Sequence, residues 1–188
     1  MRSRDLHSEP SPVESMRIET APLFLRLATG LLLALAAAAC SAEKGTLLPA
    51  PVDLARDGAE AAARRQPVVI LFSLPGCHYC DVVRQHYLVP LVRDLPEQDR
   101  PVIREVRING RASFTGFDGV RITHSGFAAR YDARFAPTVV FLDRTGRPLA
   151  QPIIGGDTAG LYGGYLDNAF AEASKKLTGS QRPHTSGD

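Results

Sequence analysis

The chain has 188 residues, 44% hydrophobic and 22% charged, with 22 Lys and Arg against 20 Asp and Glu for a formal net charge of +2. These values suit one globular domain with a single substantial core, and they exclude a wholly disordered chain or a multi-span membrane protein. The absence of any long block of like charge argues against a nucleic-acid reader, and three cysteines, Cys40, Cys77 and Cys80, are too few for a disulfide-dense scaffold.

Residues 1–19 are polar and mixed in charge, and Met16 is a candidate alternative start. Leu27 to Ala39 is an uncharged run of thirteen residues rich in Leu and Ala, flanked by Arg17 and Arg26 and ending in the small residues Ala36 to Ala39. That length fits the apolar region of a signal peptide, about 7–15 residues, and falls short of the roughly 20 needed to span a bilayer. The expected division is a signal peptide over 1–39, a linker or tether over 40–52, a folded domain over 53–177 and a disordered tail over 178–188. Cys40 follows Ala37-Ala38-Ala39. This resembles the lipobox of bacterial lipoproteins, although Ala37 stands where that family usually has Leu. The resemblance implies a lipidated Cys40 and an exported, periplasmic protein tethered to the membrane; ordinary cleavage near Ser41-Ala42 is the alternative. Either outcome removes an unpaired thiol from an oxidising compartment.

Order is expected to begin near Asp53, a suitable N-cap for a helix through Arg65 that Pro67 would stop. Val68-Val69-Ile70-Leu71-Phe72 is a continuous, largely β-branched run of the kind buried on both faces of a sheet. After Pro75-Gly76, a helix starts at the cysteines, with Cys80, Val83 and Tyr87 at helical spacing, and Pro90 is expected to kink or end it. Val102 to Ile108 reads as a less buried strand, and Asn109 to His124, with three glycines and no clean period, as an inserted loop. Ser125 opens a short helix, Thr138 to Leu142 is a second apolar strand, and Asp143 to Gly146 is a turn into an edge strand over Pro148 to Ile154. The last helix is expected from Asp157 or Thr158, with Leu161, Tyr165, Leu166, Phe170 and Leu177 towards the core. This order packs as an α/β domain, a central mixed sheet of about four strands flanked by helices.

The chemistry-bearing motif is Cys77-His78-Tyr79-Cys80. Residues three apart share one helix face, so the two sulfurs can meet at bonding distance and the pair can open and close without refolding. Unpaired amides at the helix start favour negative charge, which makes Cys77 the expected nucleophile and Cys80 the resolving thiol. A cationic His78 would favour the thiolate; an exposed spacer is its other reading. Zinc is a rival use of the pair, but a structural site wants four ligands, and His78 and His86 make a poor completion. Covalent haem attachment would need histidine where Asp81 stands. A purely structural disulfide is the remaining alternative. The other histidines, His7, His124 and His184, read as surface or tail positions, and Phe72, Tyr131, Phe135, Phe141 and Phe170 as core.

The chain over about Pro67 to Leu177 resembles the thioredoxin superfamily, and in particular its small exported members. The resemblance is carried by the strand before Cys77-His78-Tyr79-Cys80, by Phe135-Ala136-Pro137-Thr138 before the second strand, and by Gly155-Gly156 before the last helix. It implies a thioredoxin-like fold, a redox-active Cys77–Cys80 disulfide, and a cis Pro137 beside the pair, with Ala136 offering its backbone to an extended substrate. An ordinary strand-start proline is the alternative for Pro137. Two positions depart from the family: Gly76 replaces an aromatic residue, and Leu71 replaces a buried aspartate that assists proton transfer at the second cysteine. Tyr79 resembles the residue at that place in periplasmic disulfide isomerases, whose dimerisation domain has no room here.

The expected function is an exported thiol–disulfide oxidoreductase, needing no small-molecule cofactor and no metal, that acts on cysteine-containing protein substrates. Reduction is the expected direction, with a membrane partner donating electrons. The rival is a non-catalytic thioredoxin-fold binding module of the cell envelope, with a structural disulfide and residues 109–124 as its contact surface.

Overall fold

The computed structural model describes residues 48–179. The expected signal segment, Met16, Cys40 and the last nine residues lie outside the described residues.

The first helix, α1 (Leu54–Ala63), is capped by Asp53, whose carboxylate accepts from the Arg56 amide at 3.1 Å. It leads to β1 (Val68–Ser73), all six residues of which are buried. The following helix, α2, runs as α-helix over His78–Val82, widens to a π-helical stretch over Val83–Leu88 and resumes over Val89–Arg93. Then come β2 (Val102–Arg107), a hairpin of β3 (Ser113–Thr115) and β4 (Arg121–Thr123), α3 (His124–Arg130), β5 (Thr138–Leu142), β6 (Ile153–Ile154) and α4 (Tyr162–Gly179).

The central sheet has the order β2-β1-β5-β6. β1 pairs parallel with β2 and antiparallel with β5, and β5 pairs antiparallel with β6, so the sheet is mixed as expected. The unbroken apolar run of β1 has a direct cause. Val69 and Leu71 pack on one face with Val83 and Leu88 of α2 and Leu166 of α4, while Val68, Ile70 and Phe72 pack on the other with Leu54 of α1 and Phe127 of α3. At the β2 edge Arg104 grips the buried Asp57 of α1 through two hydrogen bonds of 2.8 and 2.6 Å.

Several expectations are corrected. Pro90 does not end α2: in the π-helical stretch the Val89 amide reaches Arg84 O, and the widened turn just before the proline accommodates its missing donor. The segment 109–124 is no open loop, because Phe114 is buried and pairs across to Ile122 in the hairpin. The chain also joins the fold before Asp53: Leu48 is buried, and Pro49 O accepts from the Glu105 amide at 2.9 Å. Helix α4 starts at Tyr162 rather than near Asp157, so its inward face is Tyr162, Leu166, Ala169 and Ala173. Leu161 and Tyr165, expected inward, are exposed, and Phe135 too is 67% exposed.

Candidate active site

β1 ends at Ser73, and the turn Leu74-Pro75-Gly76 delivers the chain to α2. Gly76 has φ 71°, a left-handed conformation, with open space where a side chain would stand. The turn therefore requires backbone freedom rather than room, which accounts for glycine at this position.

Cys77 is the N-cap of α2, and its Sγ accepts from the Cys80 amide at 3.1 Å. The two cysteines form a disulfide, with their Cα atoms 5.2 Å apart. Cys77 is half-buried and Cys80 wholly buried. Only the first sulfur thus belongs to a residue with solvent access, and it sits where helix amides favour an anion.

The other expected residues are placed as follows. His78 is exposed at the first position of α2, its ring centroid 5.7 Å from that of Tyr79. Tyr79 lies against Gly156 so closely that a Cβ there would stand 2.7 Å from the Tyr79 side chain. Pro137 is buried, the Ala136-Pro137 bond is cis, and Pro137 O accepts from the Gly155 amide at 2.8 Å. The structure therefore joins Tyr79, the Gly155-Gly156 loop and Pro137, and the chain neighbours Phe135 and Ile154, together with Leu74 of the turn before Cys77, are exposed apolar residues.

Sequence reasoning missed a charged cluster beneath the same helix. Glu105 on β2 is the register partner of Leu71, so a carboxylate stands one strand over from the position where the resembled family has its aspartate. Its Oε1 accepts from Ser73 Oγ at 2.5 Å and from Arg84 Nη2 at 2.6 Å, and its Oε2 from Arg84 Nε at 2.7 Å. Arg84, one turn after Cys80, also donates to Asp81. Hydrogen bonding to Glu105 foremost, then to Asp81, raises the Arg84 pKa against the opposing effect of burial. The available signal was an arginine at i+4 from Cys80 and a glutamate alternating into an apolar strand; only the strand register shows that they meet.

His124, expected at the surface, is buried, and its Nδ1 accepts from the Arg107 amide at 3.1 Å. Burial, aided by the Arg107 charge, lowers its pKa from the ordinary 6.5. The unfolded chain therefore takes up this proton first as pH falls, so the contribution to stability is present above the unfolded value and is lost on acidification through and below it. Urea unfolding between pH 7.5 and 5 is expected to show this loss, and His124→Gln to flatten it.

These features define a class: a mixed-sheet α/β domain with a C-x-x-C disulfide at the start of a helix and a cis-proline loop joined to the same surface. A family model described as thioredoxin-like domain matches residues 54–160, more than half of the chain. The chain belongs to the thioredoxin-like domain family of the thioredoxin superfamily. Among solved structures it is similar to a thioredoxin-fold protein from Helicobacter pylori, at 15% identity over 66% of this chain and 93% of that one, with a TM-score of 0.44. It is also similar to poplar thioredoxin h at 20% identity, covering 60% and 85% of the two chains with a TM-score of 0.39. A third similar structure is thioredoxin O2 from Arabidopsis thaliana in the oxidised state, at 17% identity, 69% and 99% coverage and a TM-score of 0.40. No curated protein sequence matches the chain. Fold and bonded cysteine pair together support a role of the thiol–disulfide oxidoreductase type.

Proposed function

We propose that the protein is an exported thiol–disulfide oxidoreductase that reduces disulfides in protein clients, with Cys77 as nucleophile and Cys80 as resolving thiol. The observation that carries this reading is the asymmetry of the pair: a half-buried Cys77 at the helix start bonded to a wholly buried Cys80. In the reduced protein the Cys77 thiolate attacks one client sulfur, forming a mixed disulfide and releasing the other client sulfur as a thiolate that takes a proton. Cys80 then gives its proton to water, attacks Cys77 Sγ and expels the second client thiolate. Two electrons have passed to the client, and the Cys77–Cys80 disulfide remains. A membrane dithiol partner returns two electrons to the pair. The exposed apolar residues of the cysteine turn and the cis-proline loop region, Leu74, Phe135 and Ile154, favour an unfolded or extended polypeptide as client. In this reading Ala136 and Pro137 present backbone to that polypeptide, His78 and Tyr79 shape the approach to Cys77, and a lipidated Cys40 keeps the domain at the membrane.

Cys80→Ser tests the reading. The variant is expected to accumulate mixed disulfides with client proteins through Cys77, seen as adducts that vanish on non-specific reduction, whereas Cys77→Ser accumulates none. A Cys80→Ser protein that traps nothing would point instead to a binding module with a structural disulfide. Direction is read separately, from the reduction potential and the redox state of the pair in cells: a predominantly dithiol form supports reduction, and a predominantly bonded form supports oxidation of clients.

A further inference from the structure

A cleft of about 540 Å³ opens directly beside the cysteine turn. One side is the turn itself, down to Gly76, the neighbour of Cys77; the floor is the Arg84–Glu105 pair; the far wall is the inserted segment around Gly110 to Ala112 with His124. That wall is held firmly. Ala112 O accepts from the His124 amide at 2.9 Å and Gly110 O from the Ser125 amide at 3.0 Å. A Cβ on Gly110 would stand 2.8 Å from His124 Cβ, so the insertion is packed down onto the imidazole.

The charges lining this cleft are unequally matched. Its two carboxylates, Asp81 and Glu105, are both engaged by Arg84. Arg107 and Arg111 line the same space, are exposed, and form no ion pair among the described residues. Because His124 Nδ1 accepts from the Arg107 amide, the neutral ring carries its proton on Nε2, as a donor. The cleft thus offers two guanidinium groups and no uncommitted acceptor charge. Its volume lies within the roughly 300–1,000 Å³ range of ligand pockets and well above what one small ion needs. An extended chain advances about 3.3 Å per residue, and Gly76, next to Cys77, borders the cleft, so side chains a few positions from a cysteine bonded to Cys77 are within reach of this space.

Resting on the exchange reading above, we infer that this cleft is a selectivity subsite which takes an acidic side chain flanking the client's cysteine, held by Arg107 and Arg111. The inserted segment then serves to build a client-recognition wall beside the redox pair.

The test uses pre-reduced protein in single turnover against short peptides whose one cysteine is disulfide-bonded to 2-mercaptoethanol. Each turnover moves two electrons from the Cys77–Cys80 dithiol to the peptide disulfide, giving the peptide thiol, 2-mercaptoethanol and the protein disulfide. Glu, Gln or Lys is placed at each of the three positions on either side of the cysteine, and every rate is divided by that for dithiothreitol with the same peptide. At the best position Glu is expected to exceed Gln about fivefold, from two partly exposed ion pairs, and Lys to fall below Gln. The Glu-to-Gln ratio should approach one in Arg107→Gln/Arg111→Gln, and Arg111→Glu should favour the Lys peptide. A second measurement stands apart from exchange: fluorescence anisotropy of serine-for-cysteine peptides with the oxidised protein, where Glu is expected to bind more tightly than Gln. Equal reduction and equal binding of Glu and Gln peptides, or a Glu preference that survives the double substitution, overturns the subsite while leaving exchange intact. Charge-dependent binding without reduction of any peptide upholds the cleft and overturns the exchange reading.

Discussion

Arg84→Leu is expected to destabilise the protein by about 3–5 kcal/mol, the usual cost of breaking one side of a buried ion pair. The guanidinium makes two hydrogen bonds to Glu105 and one to Asp81, and its side chain is only 9% exposed. Its removal leaves the Glu105 carboxylate, itself largely buried, with the Ser73 hydroxyl as its remaining side-chain partner. Arg84→Lys should recover part of the loss, because an ammonium supplies charge without the two-pronged geometry. The pair substitution Arg84→Leu/Glu105→Leu should cost clearly less than Arg84→Leu alone, since a well-packed apolar pair avoids burying an unmatched charge. Urea unfolding midpoints of the three variants decide the matter; equal losses for the single and double replacements would show that packing, not charge, is at stake. The same cluster lies one turn beyond Cys80. Loss of its cation leaves excess negative charge near the cysteines, which disfavours the thiolate and is expected to lower the reduction potential of the pair.

That cluster also shows where the sequence stops being legible. β1 and β5 are plain in the sequence because both faces of each are buried, which leaves an unbroken apolar run, and Cys77-His78-Tyr79-Cys80 is plain because its chemistry is local. Glu105 and Arg84 are 21 residues apart and meet only through the parallel register of β1 and β2, which no local pattern encodes. The hairpin within the insertion escapes notice for another reason. Its strands are three residues each, too short for alternation to stand out, and the large side chain it buries, Phe114, reads as an isolated aromatic. In α4 Leu166, Phe170 and Leu177 pack on the core as expected and the small residues Ala169 and Ala173 take inward places beside them, while Tyr165, and Leu161 just before the helix, stand outside.

Phe127→Ala is the substitution expected to separate the hairpin from the redox pair. Phe127 is wholly buried on α3, and its ring lies 5.2 Å from that of Phe114, 6.4 Å from Phe117, 4.8 Å from Tyr131 and 6.0 Å from Phe72. It therefore links the inserted segment, through Phe114 and Phe117, to the sheet face under β1. Tyr131 closes the cluster by donating to Gly146 O at 2.8 Å, and its burial pushes the phenol pKa up to about 12. Truncation removes the ring at the centre and leaves a cavity among aromatic neighbours, at a cost of about 3–5 kcal/mol; Phe127→Leu, which keeps most of the apolar volume, should cost less. The hairpin residues 113–123 hang on this contact more than β1 does, so their amide hydrogens should lose protection first. The cysteine pair is carried instead by α2, whose Val83 and Leu88 pack with Val69 and Leu71 on the opposite face of the sheet. Reduction of neutral peptides should accordingly survive Phe127→Ala at temperatures where the domain stays folded, while the advantage of acidic peptides falls as the wall bearing Arg111 loosens. A variant that loses both together would mean that the insertion and the redox turn unfold as one unit.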